Sequence, residues 1–173
     1  MLEDNTTSVE IYLPDDIFYD FETLEPVRGH GEHAMLNDIS YTQIPTHIKG
    51  GSIIPMRVNS ANTTAELRKQ NFTVLVAPGL DGTATGSLYV DDGESLVQDG
   101  VTDIKFEYSK EGEFSTDGVF GYEVGVVIES IVLLGSKEKP HDVGSAMRYD
   151  EGSGAVTHEV HASLQESFKM RLL

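Results

Sequence analysis

Apolar and polar positions alternate in short bursts along this chain, and turn signals close each burst. Val9-Glu10-Ile11-Tyr12-Leu13 puts Val9, Ile11 and Leu13 on one face before Pro14-Asp15-Asp16 interrupts it. Ile17 to Phe21 resumes an extended, aromatic pattern, and Gly29-His30-Gly31 marks a loop. Ile44 to Ile48 and Ser52 to Met56 follow, each a short strand carrying a proline, separated by Gly50-Gly51. Phe72-Thr73-Val74-Leu75-Val76-Ala77 is almost wholly apolar and β-branched, as a strand covered on both faces must be. Gly86 to Val90 leads into Asp91-Asp92-Gly93, where the Asp-Gly pair suits a hairpin turn needing positive φ. Ile104, Phe106 and Tyr108 alternate with polar neighbours, and Val126 to Leu134 and Ser167 to Leu173 supply two further strands. The one helical segment predicted is a single turn over Ala65 to Lys69, and the stretch from Pro140 to Gly154 reads as a long loop.

Strands at this spacing without a sustained 3.6-residue period predict an all-β chain. The expectation is an antiparallel β-sandwich over residues 71–173, preceded by the last strands of a second, incomplete sandwich over residues 1–58. The polar stretch 59–70 reads as the linker between them.

The 173 residues carry 12 Lys and Arg against 29 Asp and Glu, a net charge of −17. That balance excludes nucleic acid as a main partner, because phosphate binding needs a basic patch. The longest purely apolar run, Ile131 to Leu134, is far shorter than the ~20 residues of a membrane helix, so no membrane partner is expected. No Cys is present, which removes thiolate metal sites, disulfides and Cys nucleophiles together.

The abundant acids are the first candidates for chemistry. Asp15-Asp16 and Asp91-Asp92-Gly93-Glu94 are adjacent pairs on extended chain, where neighbouring side chains point apart, so turn formation and solubility account for them better than an acid/base pair. Neither matches a calcium loop. His30-Gly31-Glu32-His33 resembles a metal cluster in spacing alone, and His158 and His161 fall on opposite faces of a strand. Gly152-Ser153-Gly154 lacks the context of a nucleophile elbow. The residues thus predict no catalytic group, no metal site and no cofactor. Residues 1–5 lack a signal peptide's charge and apolar pattern, leaving cytosol or a larger parent open. Three of the five Asn sit in N-x-[ST] sequons, at Asn5, Asn62 and Asn71, and favour a secreted, glycosylated parent.

Several segments, in order, resemble the C-terminal part of glycoside hydrolase family 31: Val9 to Pro14, Phe18 to Thr23, and above all Ile44-Pro45-Thr46-His47-Ile48-Lys49-Gly50-Gly51-Ser52-Ile53-Ile54-Pro55-Met56. Phe72 to Ala77 and Gly86 to Ser95 continue the likeness, which is most similar to fungal α-glucosidases (maltases), weakens after residue 95 and carries no matching motif from Pro140 on. The resemblance implies a (β/α)8 barrel followed by proximal and distal β-sandwiches, with residues 1–58 ending the first and 71–173 forming the second. The family's two catalytic Asp lie on barrel loops, the nucleophile within a W-x-D-M-N type motif. This chain has no Trp, and a barrel needs roughly 250 residues. No catalytic role is therefore carried to any Asp here. The implied function is a non-catalytic structural region of an α-glucosidase in the secretory pathway, with the barrel of the same protein as partner. A free-standing module binding α-glucan or maltooligosaccharide is the alternative.

Overall fold

A computed structural model describes residues 6–137, 139–140 and 146–173. In chain order the strands are β1 (Val9–Leu13), β2 (Ile17–Asp20), β3 (Pro26–Arg28), β4 (Glu32–Leu36), β5 (His47–Lys49) and β6 (Ser52–Arg57). The helical turn α1 (Thr64–Leu67) separates these from β7 (Phe72–Ala77), β8 (Ala84–Val90), β9 (Thr102–Tyr108) and β10 (Glu113–Phe120). The chain then adds β11 (Val127–Leu133), β12 (Met147–Tyr149), β13 (Val156–Ser163) and β14 (Phe168–Arg171). It is all-β, as its alternation predicts.

Nine strands form one sheet in the order β12-β13-β11-β7-β6-β8-β9-β10-β14. Only Ser52↔Thr85 joins β6 to β8, so the sheet divides at that seam and its two halves face each other. Val74, Val76, Ile131, Leu133 and Val156 from one half meet Ile104, Phe106, Tyr108, Phe114 and Leu172 from the other in a single buried cluster. Phe106 and Phe114 stack at its centre, 6.0 Å between ring centroids. At the seam, a Cβ on Gly86 would lie 2.2 Å from the Ile53 carbonyl oxygen, so glycine is what lets the two halves approach. Most ladders are antiparallel, but β7 and β11 run parallel, and the register shifts at Glu129.

β7 is covered on both faces, as its continuous apolar run requires. Its Val74 and Val76 point into the sandwich, whereas Leu75 and Ala77 join Val132 and Leu134 on the outer face. There Tyr19 and Ile48 pack from the three-stranded sheet β3-β2-β5, and the Tyr19 hydroxyl donates to the Pro78 carbonyl at 2.9 Å. β1 and β4 form a separate two-stranded ribbon.

The structure departs from the sequence reading in several places. Val90 and Thr102 are joined not by a tight hairpin but by the long loop 91–101; Gly93 does take positive φ, at 74°. The loop expected over Pro140 to Gly154 contains β12, which pairs with β13 and is closed by Asp150, whose Oδ1 accepts from Ser153 N–H and Oγ–H, each at 2.8 Å. Residues 141–145 of that stretch lie outside the described residues. The strand β6 is hydrogen-bonded over its whole length to β7, so the ladder runs across the break expected at residue 58. α1 lies within the stretch 59–70 and is capped by Thr63, whose Oγ1 accepts from Glu66 N–H at 3.2 Å.

Candidate functional site

The paired acids diverge, each held by a different cation or turn. Asp15 meets Arg28, while Asp16 lies 3.4 Å from Lys49 Nζ and accepts from Ile17 N–H. Asp91 receives Arg68 and Gly93 N–H. Asp92 accepts from Glu94 N–H, Ser95 N–H and Ser95 Oγ–H, and these donors hold its carboxyl far below the ordinary range, with the Ser95 hydroxyl the strongest influence. These carboxylates build turns. No acid/base pair is assembled from them.

The histidines separate in the same way. His33 sits exposed on β4 with its ring edge-on to Tyr12 and its Nδ1 3.7 Å from Glu10. His158 is buried and its Nε2–H donates to the Leu172 carbonyl at 3.1 Å; burial lowers its pKa, and that hydrogen bond opposes the shift. His161 is exposed with φ of 51°. Among the described residues no three His, Asp or Glu side chains gather as a metal site would require.

The three sequon asparagines differ in setting. Asn5 lies outside the described residues. Asn62 is exposed beside the cap of α1. Asn71 is half-buried: its Nδ2–H donates to Glu129 at 3.1 Å and its Oδ1 accepts from Val127 N–H at 3.2 Å. Asn71 thus pins the start of β7 to the start of its parallel partner β11, beside the register shift.

Two surface features are beyond reach of the sequence pattern. The first is a set of large apolar side chains left exposed on the N-terminal strands and loops: Phe21 and Ile44 border one shallow pocket, with Ile44 86% exposed, Tyr41 is 73% exposed, and Tyr12 and Met35 lie on the face of the β1–β4 ribbon opposite Val9 and Ile11. The second is a groove of about 960 Å³ at the end of the sandwich where β7, β9, β11 and β14 finish. Leu133, Leu134, Met147 and Leu172 contribute its apolar lining, with Lys110, Lys137, Lys139 and Arg171 around them. Lys137 and Lys139 share the connection after β11, whereas Lys110 and Arg171 come from other parts of the chain, so no local signal joins all four.

The described residues thus form an all-β region built around one nine-stranded sheet and its closed core. Residues 1–54 match the glycosyl hydrolase family 31 C-terminal domain. A probable alpha/beta-glucosidase of Neosartorya fischeri is 49% identical over 151 residues, 87% of this chain and 17% of the relative. The counterpart in Aspergillus oryzae is 52% identical over 147 residues, 85% of this chain and 16% of the relative. An alpha-glucosidase of Schizosaccharomyces pombe is 35% identical over 147 residues, covering 83% and 15%. The chain belongs to glycoside hydrolase family 31, as a C-terminal domain that spans under a fifth of the length of these relatives. Among solved structures, a glucosidase II alpha subunit superposes on the whole chain and on 22% of its own, with a TM-score of 0.83 at 21% identity. The alpha-1,4-glucan lyase of Gracilariopsis lemaneiformis covers 98% of this chain and 21% of its own, with a TM-score of 0.72 at 16% identity. At that identity these two structures speak for the fold.

Proposed function

We propose that this chain is the non-catalytic structural region of an α-glucosidase that releases terminal α-linked glucose. Catalysis belongs to a (β/α)8 barrel in the same protein, and residues 1–58 and 71–173 correspond to the end of the proximal sandwich and to the distal sandwich, except that β6 goes with the distal sheet into which it is paired. The observation that carries this reading is that a relative 49% identical to this chain is several times longer, the chain matching only 17% of its length. Packing exposed N-terminal side chains such as Tyr41 and Ile44 against the barrel's flank gives the chain a role in the assembled enzyme. Membership in the secretory pathway is part of the reading, with Asn62 as the glycan acceptor. Asn71 is the weaker acceptor because both polar atoms of its amide already serve β11.

The purified chain should turn over neither maltose nor an aryl α-glucoside. Saturable hydrolysis that persists through repurification would overturn the proposal. In the source organism, an antibody against residues 71–139 should detect a glycosylated band several times the chain's 18.9 kDa. Should isothermal calorimetry with maltotriose give sub-millimolar binding to the isolated chain, the free-standing carbohydrate-binding module becomes the better account.

A further inference from the structure

The connection 91–101 between β8 and β9 is anchored at both ends and loose in the middle. At its start Arg68 donates to the Asp91 carbonyl, and Asp92 accepts from the N–H groups of Glu94 and Ser95. At its end Gly121 N–H donates to the Val101 carbonyl at 2.8 Å, and a Cβ on Gly100 would lie 2.3 Å from the Gly121 oxygen. Among the described residues, no backbone–backbone hydrogen bond holds residues 96–99. Leu96 is fully exposed there and Val97 is 82% exposed, two aliphatic side chains in succession without cover. Other exposed aliphatic groups are presented differently. Leu80 sits in a turn closed by Gly79 N–H to the Thr83 carbonyl and by Gly82 N–H to the Gly79 carbonyl, each at 2.9 Å. Ile44 is followed directly by Pro45, whose ring hinders hydrolysis of the bond between them.

The strand order supplies a second, independent observation. β7, β6 and β8 precede this connection and form the middle of the large sheet, whereas β12-β13-β11 on one side and β9-β10-β14 on the other all follow it. Both borders of the middle trio are therefore ladders between the chain before the connection and the chain after it. β7 pairs with β11 from Phe72 to Val76, and β8 pairs with β9 from Ala84 to Val90. The buried cluster likewise draws on both, with Ile53, Val74 and Val76 meeting Phe106, Phe114 and Ile131, and none of its residues lies within 91–101. We infer that this connection is an endoproteolytic modification site, cut beside Leu96 by an endopeptidase that seats an aliphatic side chain, and that the cut domain persists as two interlocked pieces. Water adds across the peptide bond: the C–N bond breaks, the hydroxyl joins the new carboxyl carbon and the proton goes to the new amine. The residues select the enzyme class. The connection holds no Lys or Arg for a trypsin-like or dibasic-specific protease, whereas its aliphatic pair stands clear between Glu94 and Asp99. An endopeptidase binds its substrate as an extended strand, and residues 96–99 reach that form with little structure to undo. Cleavage removes no core contact, but it frees the unfolded pieces to part, so stability gains a dependence on concentration. This inference stands apart from the structural role proposed above.

The test is limited digestion of the whole 173-residue chain under native conditions with thermolysin, which cleaves before aliphatic side chains. Mass spectrometry should find the first new N-terminus at Leu96 or Val97, formed at least about tenfold faster than any other, because the remaining aliphatic bonds require larger openings. The two pieces should then co-elute at the size of the intact chain in size-exclusion chromatography and melt cooperatively, at a temperature that rises with protein concentration. Leu96→Ser combined with Val97→Ser alters only exposed positions and should slow cleavage there at least about tenfold, with the urea midpoint of the uncut chain retained. A first cut elsewhere, equal cutting of the double variant, or pieces that separate on the column would each overturn the inference.

Discussion

The nine-stranded sheet and the N-terminal strands solve the problem of burying apolar groups in opposite ways. In the sheet, β9 alternates buried and exposed residues without a break, and both halves deliver their inner faces to one another. In the ribbon β1–β4 the same period-2 pattern yields only partial burial, because no second layer covers it. Alternation therefore specifies a strand's two faces but not whether the protein itself supplies the cover. The segment matching the family model, residues 1–54, contains this partly buried ribbon. The part most diagnostic of the family is thus the part least able to complete itself.

Core truncation should expose this difference most strongly. Phe106→Ala, in the stacked centre, should cost about 3–5 kcal/mol in urea unfolding, while Tyr41→Ala should fall within about 0.5 kcal/mol. A large cost at Tyr41 would mean that the N-terminal face is covered within this chain after all. Asn71→Ala removes the brace between β7 and β11 and should cost about 1–3 kcal/mol, with amide exchange rising at the starts of both strands. Tyr19→Phe removes one hydrogen bond at the joint between the small sheet and the large one. It should cost about 1 kcal/mol, lost first from the three-stranded sheet by hydrogen exchange.

Acid should act through the large sheet before the carboxylates respond. His158 has a folded-state pKa below its ordinary value of 6.5, so its contribution is complete above that pH. As pH falls through 6.5 the unfolded chain takes the proton first and stability declines, until the folded site is protonated too. His158→Gln should flatten the chemical-denaturation midpoint across that window; an unchanged slope would remove His158 as its cause. A second pH effect lies at the alkaline end. Burial raises Tyr19 to about 12, so the unfolded chain ionises first and stability falls as pH climbs through 10 towards that value. In Tyr19→Phe that alkaline decline should shrink.

The sequence disclosed what single segments can disclose. β7 was legible because only a doubly covered strand is apolar throughout, and β9 because its alternation is clean. β3 and β4 were not: β3 is three residues long, and in β4 the run Ala34-Met35-Leu36 is apolar at every position, which hides its alternation. β12 is three residues, too short for a pattern. β10 is interrupted by Asp117-Gly118, where the ladder persists without apolar side chains. The cationic groove lies beyond any local reading, because Lys110, Lys137 and Arg171 meet only after the sandwich closes. Of the three sequons, sequence alone could not separate an exposed Asn62 from an Asn71 engaged with β11.

The parallel pairing of β7 with β11 has a consequence for how the chain is made. Asn71 and Val127, which the brace joins, are 56 residues apart. During synthesis β7 leaves the ribosome, pairs with β6, and then waits with its other edge open until β11 has been translated. A highly apolar edge held open for that interval invites pairing with a neighbouring nascent chain. The delay also makes formation of this ladder a slow, non-local step. Translation speed between residues 77 and 127 is therefore a variable on which the yield of correctly folded protein should depend.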